Sequence, residues 1–150
     1  MENYWLGVVS RTHVERAVAG GFAQLCHGRA APLKRMKAGD WIVYYSATSE
    51  MGGGERLQAF TALGQLVDDR IYEADLGDWR AHRRDVRYEP VGQVALASLA
   101  EQLHLTAQPH WGFALRRGTL PLDAHDFAIV AQALRQAPRR RDRLAAADVR

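Results

Sequence analysis

Tyr4–Ser46 reads YWLGVVSRTHVERAVAGGFAQLCHGRAAPLKRMKAGDWIVYYS, and the way this stretch divides decides the fold. Tyr4 to Val9 is apolar and rich in aromatic and β-branched residues, the pattern of a strand buried on both faces. Thr12 followed by Glu15 reads as a capping box opening a helix over His13–Ala19, with Val14, Ala17 and Val18 on its packed face. Gly20-Gly21 supplies a left-handed stop. Pro32 fits the first turn of a short helix running through Met36. Gly39-Asp40 then turns the chain into a second strand, Trp41–Tyr45. Between the helix and that strand lies a chemically mixed connection, with Phe22, Gln24, Cys26, His27 and Arg29 close together. Such a segment, held between regular elements, suits the wall of a site for a small planar ligand.

Outward from this stretch the chain is mostly strand. Leu57–Val67 is the longest strand candidate, and Gly64 within it marks a bend of the kind barrels require. Glu50–Glu55 reads as a mobile hairpin loop. Its Gly52-Gly53-Gly54 is no phosphate cradle, because neither a Lys-Ser/Thr pair nor a helix start follows. Trp79–Tyr88 alternates basic and other residues as an exposed strand, Ala95–Leu103 reads as helix, and Trp111–Arg117 as a closing strand. Pro121-Leu122-Asp123 introduces a final helix over Phe127, Val130 and Leu134. The order implies an α+β domain on a small, strongly curved sheet or barrel. It occupies residues 1–137, and residues 138–150 are expected to form a disordered, Arg-rich tail.

The composition of the 150-residue chain, 47% hydrophobic and 25% charged, is that of an ordinary globular domain. No run approaches the roughly 18 apolar residues of a membrane helix, and no signal pattern opens the chain. Cys26 is the single cysteine, which excludes an internal disulfide and fits a reducing cytoplasm. One Cys with scattered histidines (His82, His104, His110, His125) leads to the expectation of no metal site, and no cofactor is expected. The net charge of +3 is unevenly placed: six of the arginines lie in residues 135–150 against two aspartates, so the body is close to neutral. The tail is either a solvated end or a phosphate contact.

Five blocks, YWLGVVS, AGGFAQLCHGRAAPLKRM, GDWIVYYS, LQAFTALGQ and HWGFALRRG, occur in an order that resembles the EVE domain, in its branch of small uncharacterised prokaryotic proteins. The resemblance covers roughly residues 3–134. It implies membership of the PUA-like superfamily, with the YTH, ASCH and SRA domains as relatives. It also implies a pseudo-barrel of five to six mostly antiparallel strands with interspersed helices. The concave pocket of such domains takes a flipped-out, usually modified, base from RNA or DNA. Carried onto this chain, the pocket positions are Ser10 and its neighbours, the Phe22–Arg29 connection, and Tyr44–Ser46. The chain departs from the family in having Ser10-Arg11-Thr12 where many relatives have Ser-Glu-Pro. The tryptophan common in the connection has Phe22 as its nearest counterpart.

An extruded base needs an aromatic face and hydrogen bonds along its edge. Phe22, Trp41, Tyr44 and Tyr45 are the stacking candidates, although alternation puts Trp41, Val43 and Tyr45 on one face and Ile42 and Tyr44 on the other. Ser10, Gln24, His27 and Ser46 are the edge candidates, each with a structural reading beside it: a helix cap, a bonded loop amide, a packed histidine, a strand hydroxyl. Cys26 reads as a small buried apolar residue. Phosphate contacts are expected from Arg29, Lys34, Arg35 and Arg116, with Lys37 and with Arg83, Arg84 and Arg87 elsewhere. Together these point to a non-catalytic binding module for RNA or DNA carrying a modified base. Two alternatives stand beside it. One is an amidohydrolase-like enzyme on a modified nucleoside, for which Lys34 and Lys37 lack a neighbouring Glu. The other is a protein-interaction module.

Overall fold

A computed structural model describes residues 2–139. Six strands form one continuous curled sheet in the order β2-β6-β4-β3-β1-β8, a half-barrel with two further short strands at its sides. These are β1 (Tyr4–Val8), β2 (Phe22–Ala23), β3 (Trp41–Glu50), β4 (Gly53–Leu66), β6 (Arg80–Tyr88) and β8 (Thr119–Leu122); β5 (Tyr72–Asp75) pairs with β6 and β7 (Val94–Ala95) with β4. The pairing is antiparallel except between β1 and β3, where Tyr4 meets Trp41 and Val8 meets Tyr45. A parallel pair requires a long crossover. The mixed connection is that crossover, carrying α1 (Arg11–Gly20), β2 and α2 (Ala31–Lys34) from one strand to the other.

Two apolar layers follow from the strand alternation. Trp5, Ile42 and Tyr44 pack with Val14, Leu25 and Leu33 under α1 and α2. On the opposite face Leu6, Val43 and Tyr45 pack with Leu120, Val130 and Leu134, under α5 (Ala124–Gln136). Asp40, 1% exposed, joins the starts of β1 and β3: its carboxylate accepts the Trp5 indole N–H at 2.9 Å, the Lys37 N–H at 2.9 Å and the Asn3 N–H at 3.1 Å.

Several expectations change. Ser10, not Thr12, caps α1 by accepting the His13 N–H, while the Thr12 hydroxyl donates to the Ser49 carbonyl at 2.7 Å. The expected Glu50–Glu55 loop is strand up to a tight turn, with Glu50 paired to Gly53. Ala95–Leu103 is not one helix: Ala95 ends β7, a 3-10 turn covers Leu96–Ser98, and further turns follow. Trp111–Arg117 is helical, as α4 (Trp111–Ala114) followed by a 3-10 turn, after α3 (His104–Ala107). The closing strand is instead β8, an edge strand in which Pro121 needs no ladder partner for its missing N–H. The tail from residue 140 lies outside the described residues.

Arg84 overturns the reading of Trp79–Tyr88 as an exposed basic strand. It is 1% exposed, its guanidinium donating to the carbonyls of Leu33 at 2.8 Å and Met36 at 2.6 Å and to that of Asp68. Those acceptors belong to the end of α2 and to the β4–β5 connection. It is thus a buried structural cation and makes no phosphate contact. Replacing it with Met strands three carbonyls, and the expected loss is about 3 kcal/mol or more. Arg84→Lys should recover little of this, because one ammonium cannot reproduce the fork. Urea denaturation of both variants checks this, and wild-type midpoints would refute the role.

Candidate nucleic-acid interface

The end of β1 is where the expected wall meets the rest of the chain. The Val8 N–H donates to the Gly118 carbonyl at 2.8 Å, and the Val9 N–H to the Tyr45 carbonyl at 3.1 Å. Cys26 approaches the same corner: its Sγ lies 3.6 Å from both the Arg117 carbonyl and the Thr119 hydroxyl. Gly118 has φ 78, and a Cβ there would fall 2.8 Å from the Cys26 sulfur. Close approach and backbone sign together require glycine. Ser10, the Cys26–Gly28 turn and the Arg116–Gly118 turn are therefore gathered at one end of the sheet.

The turn itself is strained. Cys26 (φ 48) and His27 (φ 60) are both left-handed, a conformation that costs side-chain-bearing residues about 1–3 kcal/mol each. It is clamped on its far side by β6. The His82 ring lies 3.1 Å from the Gly28 carbonyl, and a Cβ on Gly28 would fall 2.8 Å from the Trp79 ring and from Ala81. His27 is exposed, as are Arg29 and Lys34, and none of the three is ion-paired among the described residues.

The remaining candidates are placed differently. Phe22 is 7% exposed with the Arg83 guanidinium 3.8 Å from its ring centre, and the Arg83 Nε–H donates to the Gln24 side-chain oxygen at 2.9 Å. Tyr44 is fully buried beside Tyr88, whose hydroxyl donates to the Phe22 carbonyl at 2.7 Å. Burial pushes the Tyr44 hydroxyl up to about 12 and raises that of Tyr88 as well. Ser46 is buried with its hydroxyl 2.9 Å from that of Thr61. Trp41 and Tyr45 face the α5 layer, Trp41 against Phe127 and Tyr45 against Phe60. Arg35 stacks on Trp5, at the other end of β1. Phe22, Gln24 and Tyr44 thus form a packed shell behind the strained turn, and none of the four aromatic candidates offers an open ring.

The open rings come from elsewhere. Phe113 is 68% exposed with the Arg116 guanidinium 4.9 Å from its ring centre, on the segment that leads into the Gly118 corner. Trp79 is 46% exposed and packs on the Gly28 side of the turn. The sequence read Trp111–Arg117 as a closing strand; the spacing of Phe113 and Arg116, three apart, was the available sign of a helical surface pair. Two surface clefts are also present. One of about 630 Å³ lies between α1 and Pro90–Gln93 and is lined by Arg11, Val18 and Thr61; the other, of about 560 Å³, is lined by Tyr4, Arg35 and Leu122. No predicted base-contacting residue lines either.

A family model described as the EVE domain matches residues 3–133. A UPF0310 protein of Renibacterium salmoninarum is 42% identical over 134 residues, spanning 89% of this chain and 96% of the relative. The UPF0310 protein YdcG of Bacillus subtilis is 40% identical, spanning 88% and 92%. Among solved structures, the YTH domain of the Zygosaccharomyces rouxii MRB1 protein in complex with N6-methyladenosine RNA superposes with a TM-score of 0.65 at 16% identity. It covers 94% of this chain and 92% of that one. The human THYN1 protein in complex with 5-methylcytosine-containing DNA gives 0.51 at 16% identity, covering 91% and 100%.

His13 supports the wall from α1, its ring donating to the Gln24 carbonyl at 3.0 Å. Burial holds its pKa below the ordinary 6.5, with Arg16 and Arg83 adding to the effect. The folded chain therefore keeps His13 neutral while the unfolded chain takes up the proton. Its contribution is present above about pH 6.5 and is lost as pH falls below that. Denaturation midpoints at about pH 7.5 and about pH 5.5 should fall more for wild type than for His13→Gln; equal declines would contradict this role.

Proposed function

The chain belongs to the EVE domain family and has its PUA-like pseudo-barrel, and on that premise we propose that it is a nucleic-acid-binding module that receives a modified base. One observation carries the reading: of two consecutive left-handed, side-chain-bearing residues where β1 ends, Cys26 is pressed against Arg117 and Thr119 and His27 stands exposed beside it. Backbone strain of this kind persists where the surroundings over-determine it, and it clusters at ligand sites. The likeness to two folds solved with methylated RNA or DNA supports the same reading.

In this reading Ser10 and His27 supply hydrogen bonds to the base edge at the mouth. Phe22, Gln24, Tyr44 and Ser46 hold the wall from behind, and Trp41 and Tyr45 secure β3 to the opposite layer. Phe113 and Trp79 provide the stacking surface for the base or its neighbours. Arg29, Lys34 and Arg116 meet phosphates, whereas Arg35 serves a more distant part of the strand. The nucleic acid is selected at the wall and retained by the cations, so affinity falls steeply with salt.

The test is fluorescence anisotropy of short RNA and DNA strands, plain or carrying N6-methyladenine or 5-methylcytosine. Saturable binding with a preference for one modified strand is expected. Phe113→Ala should weaken binding by about 1–3 kcal/mol, roughly 5- to 150-fold, without lowering stability, since the ring is exposed. Equal affinity for modified and plain strands would defeat the modified-base reading; no binding at low salt would defeat the module itself.

A further inference from the structure

His104 and His125, which look scattered in sequence, meet face to face. His104 opens α3, His125 is the second residue of α5, and their rings stack 3.8 Å apart at 8°. Each ring has a carboxylate at Nδ1: Asp123 at 2.7 Å from His104, Asp126 at 2.9 Å from His125. We propose that this cluster is a binding site for a divalent transition cation of the zinc, cobalt and nickel class. It shares no residue with the proposed base site and stands independently of it.

The donor set fits that class. Imidazole nitrogen suits borderline cations, while hard cations prefer oxygen alone. One ligand atom from each of the four residues lies within 4.8 Å of the others. Bonds of about 2.0–2.2 Å place ligands of one ion at most about 4.2 Å apart, so the four cannot all bind without movement. The division of labour follows from burial. Asp126 is 3% exposed and already accepts the N–H groups of His104 and Leu105, both at 2.8 Å, which fixes it in place. Asp123 accepts the Asp126 N–H at 2.8 Å as the cap of α5. The carboxylates are thus held by backbone, independently of the rings they orient. Both imidazoles are exposed and free to adjust. With Nδ1–H given to a carboxylate, each presents Nε2 as the metal-binding lone pair, the arrangement in which an acid orients a ligating histidine. Water completes the sphere.

Calorimetric titration of ZnCl2 and CoCl2 into the full chain tests the site, with the cobalt absorption spectrum as a second readout. One saturable equivalent is expected. Asp123→Asn should weaken it roughly 10- to 100-fold, as expected for an orienting carboxylate. The double variant His104→Ala, His125→Ala should lose it altogether, with its circular dichroism unchanged because the capping bonds are made by backbone and aspartates. His27→Ala should bind as wild type does. Absence of saturable binding, an undiminished equivalent in the double variant, or equal loss in His27→Ala would overturn the proposal.

Discussion

The arrangement depends on a guanidinium taken out of water. Arg84 sits on β6 opposite Ala23 of β2, and its donors reach the carbonyls of Leu33, Met36 and Asp68. An ionised group is expensive to bury, and the cost is tolerable only where charge-assisted hydrogen bonds replace hydration. Here Nη1 and Nη2 are so bonded, while Nε has no partner among the described residues, and the bonds close carbonyls that the short α2 leaves open at its end. The crossover from β1 to β3, with little regular structure of its own beyond α1, is thereby tied to the sheet at its middle and at its end.

That anchorage explains how the crossover tolerates consecutive left-handed residues at Cys26 and His27. Neither has the freedom of glycine, and a loop with loose flanks would relax. Its flanks are not loose: Trp79 and, from β6, Ala81 and His82 clamp Gly28, and the β8 corner meets Cys26 through Gly118 and Thr119. The chemistry offered at this end of the sheet, an exposed imidazole, a serine and flanking cations and aromatics, is therefore presented on a rigid frame. Rigid presentation lowers the ordering cost that a ligand must otherwise offset.

Much of the frame could be read from the chain. The alternation Trp41, Val43, Tyr45 against Ile42, Tyr44 is the division between the two apolar layers, because a strand's period of two leaves no other choice. Gly21 stops α1 with φ 69, and Asp123 caps α5 ahead of Phe127, Val130 and Leu134. Errors cluster where local signals compete. Ser10 and Thr12 are both competent caps, and only the reach of Thr12 to Ser49 on the neighbouring strand separates them. Trp111–Arg117 is apolar enough for a strand, yet Gly118 and the edge position of β8 leave it helical.

The sequence alone determined which residues could face which layer, since backbone periodicity is a local property carried by each segment. It also determined the family, through five blocks in order. Only the tertiary structure decided what those side chains do there. Arg84 is core and not surface, Phe22 lies under Arg83 and not open to a base, and Phe113 and Trp79 hold the exposed rings. His104 and His125, twenty-one residues apart, become stacked neighbours. Each of these outcomes depends on partners brought together by chain reversal. Burial and charge pairing depend on distance in space, which periodicity along the chain does not encode.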